Sequence, residues 1–232
     1  MEIKGLQKTT LLDYPEKLAA TVFLGGCNFK CPFCHNATLV ILSNEVDSIS
    51  EDEFFSYISK RKGVLDGVCV TGGEPLLSSG ITEFIKKIKS LGLLVKLDTN
   101  GSFPDKLESL LDQKLVDYVA MDIKNCKEKY AITSGINANS EYIEKADRSI
   151  DIIMQKAPDY EFRTTVVREL HTIEDIVKIA NRIKSAKKYF LQTYVDSGNT
   201  IKVGYSAYSA SEMLEILENT RKVLPVTNLR GI

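Results

Sequence analysis

GVCVTGGEPLLSSGITEFIKKIKSLGLLVKLDTNG, residues 67–101, is the stretch that decides the fold. It begins with a short apolar run, GVCVTGG (67–73), that closes on two glycines. Ser79-Gly80 then precedes ITEFIKKIKSLG, where Ile81, Phe84, Ile85 and Ile88 fall on one face at helical spacing before a stop at Gly92. A second apolar run, LVKLDTNG (94–101), follows at once. Two short runs rich in β-branched residues around one amphipathic helix predict a strand–helix–strand unit, with parallel strands and a right-handed crossover.

The same alternation extends in both directions. AATVFLGG (19–26), DYVAMDIK (117–124), YEFRTTVV (160–167) and KYFLQTYV (188–195) are further apolar runs, and PVTNLRGI reads as a last strand. Their composition suits strands buried on both faces of a parallel sheet. Helix starts are signalled by Ser50 with Glu53 before FFSYISKRK, by Thr172 before IEDIVKIANRIKSAKK, and by Ser209 or Ser211 before EMLEILENTRKVL. Six repeats of strand and helix predict a parallel α/β barrel. At 232 residues, short of the roughly 250 usual for eight units, the expectation is a partial, open (βα)6 barrel in a single domain spanning 1–232.

The bulk composition excludes more than it selects. The chain is 44% hydrophobic and 26% charged, with a net charge of −1, so no global electrostatic case exists for nucleic acid or membrane partners. MEIKGLQKTTLLDYPEK has no apolar core before a small-residue cleavage site, and no run of about 18 apolar residues occurs, so the expected location is the cytoplasm. A reducing compartment and an odd count of five cysteines argue against structural disulfides.

In such a barrel the working residues sit where strands end at their C-termini. Cys27, Cys31 and Cys34 follow the first of the six runs, TGGEP the second, DTNG the third, MDIK the fourth, and RTT lies on the fifth, all on one rim. Three thiols in CxxxCxxC do not complete a tetrahedral zinc site, which needs four ligands. A thioredoxin-like dithiol would leave Cys27 unexplained. A four-iron cluster held by three thiolates leaves one iron open to a small molecule, and this loop supplies what such a site needs.

Cys27-x3-Cys31-x2-Cys34, with Phe33 before the last cysteine, resembles the signature of the radical S-adenosylmethionine (SAM) superfamily, and Gly72-Gly73-Glu74-Pro75 resembles its GGE motif. The resemblance implies one [4Fe-4S] cluster on Cys27, Cys31 and Cys34, whose open iron is chelated by SAM. Reductive cleavage then gives methionine and a 5′-deoxyadenosyl radical. CPFCHN, LDTNG and MDIK together resemble the activating enzymes of glycyl radical enzymes. The opening GLQKTTLLDYP resembles activators of anaerobic ribonucleoside-triphosphate reductase, with pyruvate formate-lyase activators as cousins.

The roles this implies transfer position by position. Phe33, Cys34 and His35 line the adenine and cluster side of the cofactor. Gly72 joins the cofactor-binding set, and Gly73 and Glu74 hold the methionyl amino end. Asp122 and Lys124 match a D-x-K that contacts the cofactor, with Lys124 counted among the catalytic groups alongside the cysteines, and Arg163 lies near the cofactor carboxylate. Asp98, Thr99 and Asp122 match positions that hold a monovalent cation. The sixth strand departs from the formate-lyase activators, offering Gln192 and Tyr194 where those place a histidine. His171, just before a helix start, reads as solvent-exposed, Cys69 as core, and Cys126 as ambiguous.

The implied partners are a glycyl radical enzyme, with the anaerobic ribonucleotide reductase first and a formate-lyase type next, and a flavodoxin- or ferredoxin-like electron donor. Two other readings stand beside this one. The same radical chemistry could act on a small molecule, as in the short 7-carboxy-7-deazaguanine synthases. A non-catalytic metal or redox module would use the cysteines alone.

Overall fold

Parallel strands need a crossover between them, and the helices supply it. In the computed structural model, described over residues 1–41, 47–196 and 198–231, the strands are β1 (Ile3–Thr10), β2 (Ala19–Leu24), β3 (Gly67–Gly72), β4 (Leu94–Thr99), β5 (Tyr118–Asp122), β6 (Asp159–Val166), β7 (Tyr189–Thr193) and β8 (Thr227–Arg230). They form one sheet in chain order. β2 through β8 are parallel, and β1 runs antiparallel along the edge of β2. No pairing joins β1 to β8 among the described residues, so the sheet curls into an open barrel whose six units run from β2 to β7.

The helices are α1 (Ala37–Ile41), α2 (Glu51–Ser59), α3 (Ile81–Ser90), α4 (Pro104–Asp112), α5 (Lys127–Ser134), α6 (Tyr142–Lys156), α7 (Ile173–Arg182) and α8 (Ala210–Arg221). Thr172 with Asp175 and Ser209 with Glu212 close complete capping boxes, which fixes the starts of α7 and α8. Ser50 accepts from the Glu53 N–H at 3.1 Å at the start of α2. In α3 the four apolar residues read from the sequence are all buried, and Phe84 stacks on Phe54 of α2 at 5.1 Å. Each such side chain contributes about 1.5–3 kcal/mol as an upper estimate. No helix among the described residues is long and apolar enough to cross a membrane.

Alternation along the strands separates two environments. Val68, Val70, Val95, Leu97, Val119, Met121, Phe162 and Leu191 face the helices and join their apolar faces in one continuous core. The opposite face differs from the expectation of strands apolar on both sides. Lys96 and Glu161 are 2% and 1% exposed, yet both point into the barrel. Glu161 accepts from the Tyr118 hydroxyl at 2.9 Å and from Arg230 at 2.8 and 2.9 Å, and Lys96 pairs with Asp98. Buried charges persist only when paired, and here each has its partner.

His171 also departs from the sequence reading: it is buried, not exposed. Its Nδ1 accepts from the Val167 N–H at 3.1 Å, so Nε2 carries the proton and donates to the Lys124 carbonyl at 2.8 Å. The imidazole thereby ties the turn before α7 to the end of β5. Burial lowers its pKa, keeping it neutral.

Candidate active site

A cleft of ≈ 260 Å³ opens at the C-terminal ends of the strands. Cys27, Cys31 and Cys34 line one wall, with Phe33 and His35 beside them. Gly72, Gly73, Asp98 and Thr99 line the floor from β3 and β4, and Asp122, Lys124 and Arg163 complete it from β5 and β6. Parallel topology is the cause: apart from Arg163, which points in from within β6, these residues lie at or just past strand ends, and all those ends point the same way.

The cysteine loop is held from several sides. Gly26 N–H donates to Leu39 O at 2.9 Å, Cys34 N–H to Cys31 O at 3.0 Å, Lys30 N–H to Ser134 O at the end of α5 at 3.0 Å, and Lys202 N–H to Pro32 O at 2.8 Å. The Gly72-Gly73 pair presses against the start of the loop. Gly73 N–H donates to Leu24 O and Glu74 N–H to Gly26 O, each at 2.9 Å. A Cβ at Gly72, whose φ is +125°, would overlap the Leu24 backbone, and one at Gly73 would overlap the Gly26 carbonyl. The two glycines therefore let β3 close against the segment that launches the cysteines.

Burial pushes the Cys27 thiol up to about 12 and Cys31 up to about 11, with the Lys124 ammonium working against burial at both; Cys34 is raised by the same cause. Such thiols become thiolates only beside a strong positive charge such as bound iron. Among the described residues no three His, Cys, Asp or Glu side chains are grouped to hold a single metal ion. A four-iron cluster places each thiolate on a different iron, so its cysteines stand around a cavity and do not converge on one point. Three soft donors spaced along the wall of a cleft fit that group.

Arg163 organises the floor. Its Nη1 lies 3.2 Å from Asp98 Oδ2 and its Nε 2.9 Å from Asp122 Oδ1. Lys124 Nζ sits 3.2 Å from Asp122 Oδ2, and Lys96 approaches Asp98 from below. Burial opposes ionisation of Asp122, but Arg163 and Lys124 outweigh it and hold its pKa down at about 2. Asp98 is likewise lowered against burial by Arg163 and Lys96. Burial works against the Lys124 charge, which Asp122, Cys31 and Cys34 more than restore. Glu161 also lies 3.9 Å from Arg163 and pairs with Arg230. Lys96, Lys124, Arg163 and Arg230 thus face Asp98, Asp122 and Glu161, and one net positive charge is left to favour anionic groups in the cleft.

Glu74 is absent from the cleft wall. It is fully buried, and its carboxylate accepts from Leu76 N–H at 3.0 Å, the Thr99 hydroxyl at 2.9 Å and Asn100 N–H at 2.6 Å. It braces the end of β4 against the turn after β3. Burial raises its pKa to about 7, the Asn100, Leu76 and Thr99 hydrogen bonds pulling the other way. Of the sixth-strand pair, Gln192 lines the cleft, while the Tyr194 ring stacks on His35 with centroids 5.6 Å apart. Cys69 lies inside the barrel, 3.7 Å from both Asp98 Oδ1 and Lys96 Nζ, and Cys126 is buried against Asp175 at 3.4 Å.

Thr71, Thr165, Asn36 and Asn100 also line the cleft, and sequence reasoning passed over them. A signal existed for the first two. Thr71 and Thr165 occupy the same period-2 positions as Asp98 and Arg163, polar residues alternating with apolar ones along otherwise hydrophobic strands. Asn36 donates to Gly72 O at 3.1 Å, a contact across 36 residues that no local pattern announces.

The comparisons with known proteins agree with this geometry. A Methanocaldococcus jannaschii protein provisionally described as a glycyl-radical enzyme activating enzyme is 34% identical over 194 residues, covering 83% of this chain and 79% of the relative. The pyruvate formate-lyase-activating enzyme of Listeria monocytogenes is 28% identical over 180 residues, covering 68% and 71%. A Clostridium acetobutylicum 7-carboxy-7-deazaguanine synthase is 30% identical over 159 residues, covering 67% and 68%. The fold is shared with a radical SAM methyltransferase from Sphaerobacter thermophilus at a TM-score of 0.71 and 13% identity, over 94% of this chain and 67% of that one. The profile of the radical SAM superfamily matches residues 21–183, which carry the cysteine loop, the glycine pair, Asp98, Asp122, Lys124 and Arg163. The chain belongs to the radical SAM superfamily.

Proposed function

We propose that this protein activates a glycyl radical enzyme by removing one α-hydrogen from a glycine of that partner. The observation that carries the reading is the convergence of Cys27, Cys31, Cys34, the Gly72-Gly73 turn and the Asp98–Arg163–Asp122–Lys124 array on one cleft. Likeness to the activating enzymes supports the choice of a protein substrate. When bound, a [4Fe-4S] cluster and SAM supply the one-electron chemistry that yields a 5′-deoxyadenosyl radical.

The chain's own residues then have separable tasks. Cys27, Cys31 and Cys34 hold the iron. The main chain at Gly72 and Gly73 leaves room for the methionyl end, with Glu74 acting from behind through Thr99 and Asn100. Arg163 and Lys124 attract the cofactor carboxylate, and Phe33 and His35, the latter backed by Tyr194, offer flat surfaces to the adenine. An open barrel admits a backbone loop, and glycine alone brings a peptide into a narrow cleft without a side chain. A monovalent cation at Asp98, Thr99 and Asp122 would have to displace Arg163, which already bridges both carboxylates. Within this reading the partner is an anaerobic ribonucleoside-triphosphate reductase, and the electron comes from a flavodoxin- or ferredoxin-like donor.

The test is anaerobic reconstitution with iron and sulfide, reduction, and addition of SAM. 5′-Deoxyadenosine formed by the wild-type chain and absent with Cys31→Ala establishes the radical chemistry. A glycyl doublet in the electron paramagnetic resonance (EPR) spectrum of a co-incubated reductase then establishes the partner class. Likeness to the deazaguanine synthase supports a second reading, a small-molecule substrate. Deoxyadenosine without any glycyl signal on candidate partners, together with turnover of an added small molecule that yields 7-carboxy-7-deazaguanine, would decide for it.

A further inference from the structure

Asn100 has served so far only through its backbone N–H on Glu74, yet its side chain is aimed at the first cluster cysteine. It follows Thr99 at the end of β4 and is 6% exposed. Its Oδ1 accepts from Ser102 N–H at 2.9 Å, which leaves only one orientation for the amide. Nδ2 therefore faces the cysteine loop, 3.1 Å from Asn28 Oδ1 and 3.8 Å from Cys27 Sγ. Asn28 is held in turn by Ser102, donating from Nδ2 to the Ser102 hydroxyl at 3.0 Å. The Phe29 N–H reaches the same sulfur at 3.4 Å. Cys27 Sγ thus has two N–H donors around it, one from its own loop and one from a strand 73 residues away.

Hydrogen bonds to ligand sulfurs are one of the levers that set an iron–sulfur potential. An N–H aimed at a thiolate withdraws electron density and favours the reduced, more negative cluster. The backbone donor from Phe29 belongs to the cysteine loop itself, two residues from Cys27. The Asn100 donor comes from elsewhere in the fold, and the Ser102 N–H on its Oδ1 fixes the orientation of the amide.

We propose that Asn100 is a positioning residue that raises the reduction potential of the [4Fe-4S] cluster through an amide N–H on Cys27 Sγ, easing one-electron reduction by an external donor. The proposal rests on the radical SAM reading of the site, and iron content separates failure of one from failure of the other. The Glu74 carboxylate serves the same end, since its bond to Asn100 N–H fixes the backbone from which the amide projects.

The experiment is a redox titration of the reconstituted holoprotein under argon, with dithionite and mediators, reading the EPR signal of the reduced cluster. Asn100→Leu keeps the volume and removes the donor. Its cluster is expected to be about tenfold harder to reduce, a potential lower by about 59 mV. Asn100→Asp removes the donor and adds negative charge, so its potential should fall below that of Asn100→Leu, while the Leu variant, which changes no charge, isolates the hydrogen bond. Asn28→Ala leaves the Asn100 N–H on the sulfur and should stay near wild type. Equal potentials in wild type and Asn100→Leu, at equal iron per chain, overturn the proposal. Should the Asn100 variants not take up iron, wild-type protein labelled with 15N at the asparagine side chains decides instead. Pulsed EPR of its reduced cluster should show a coupled side-chain nitrogen that persists in Asn28→Ala, and absence of that coupling refutes the hydrogen bond. A wild-type chain that binds no iron sinks this proposal and the cofactor reading together.

Discussion

Glu74→Gln exchanges a carboxylate for a carboxamide of the same shape, so it alters protons and leaves packing alone. Both Glu74 oxygens act only as acceptors, Oε1 from Leu76 N–H and the Thr99 hydroxyl, Oε2 from Asn100 N–H. Whichever way the amide turns, its NH2 meets a backbone N–H, that of Asn100 at one end or Leu76 at the other. One buried donor is left unpaired, at about 1–3 kcal/mol. A second contribution depends on pH. Burial raises the carboxyl from its ordinary 4.5 to about 7. At about 1.4 kcal/mol for each tenfold change in acidity, that is roughly 3 kcal/mol. Because the folded-state pKa exceeds the unfolded one, this stabilisation is complete below about pH 4.5 and is lost as the pH rises through about 7. Glutamine does not titrate, so the variant should be most destabilised relative to wild type near about pH 5 and should recover by a few kcal/mol near about pH 8. The chain has no tryptophan, so urea unfolding of the apoprotein is followed by far-UV circular dichroism. A wild-type-to-variant difference constant across that range would refute the raised carboxyl. A variant as stable as wild type at every pH would refute the three-donor geometry.

Gly73→Ala forces a methyl against the Gly26 carbonyl and the Cys27 Cβ, so it should cost about 1–3 kcal/mol and lower iron uptake on reconstitution. Wild-type iron content with an unchanged melting temperature would show that β3 does not press on the cysteine loop. Arg163→Met leaves Asp98 and Asp122 without their shared guanidinium, at about 3 kcal/mol near neutral pH. The depressed Asp122 pKa contributes stability that is present above the ordinary value of 3.8 and is lost as the pH falls through about 2. Removing the cation raises that pKa, so the acid-unfolding midpoint should move to higher pH. An unmoved midpoint would mean that Arg163 does not hold the two carboxylates charged.

The polar interior of the barrel gives these substitutions a common background. A barrel lined with aliphatic side chains gains stability from its inner face; here that face carries Lys96, Asp98, Glu161 and Arg163. The stabilising apolar burial is therefore concentrated between sheet and helices. Buried ion pairs of this kind are poor sources of net stability, but losing one partner is costly. The interior charges instead reach upward to fix Asp98 and Arg163 at the floor of the cleft.

Much of this was written locally in the chain. Short apolar runs alternating with amphipathic segments specified parallel strands, and the cysteine loop, TGG, DTN and MDIK each follow a run directly. Strand direction then puts them on one rim, because parallel strands end on the same side. The cap at Thr172 was legible for the same reason, since a cap and its partner lie three residues apart, while for α8 the sequence left Ser209 or Ser211 and the structure selects Ser209. What tertiary structure alone decided involves residues far apart in sequence. The pairing of β1 along β2 depends on register across a turn, and no periodicity in GLQKTTLLDYP marks it as an antiparallel edge. His171 sits beside a helix start, where exposure is the usual outcome, yet its partner is a carbonyl 47 residues away. Glu74 carries the motif's charge but spends it on Thr99 and Asn100, and Asn100 reaches Cys27 only because β4 ends beside the loop that follows β2. Local patterns set which elements form and where each motif sits; contacts between elements, which leave no trace in neighbouring residues, set what each side chain touches.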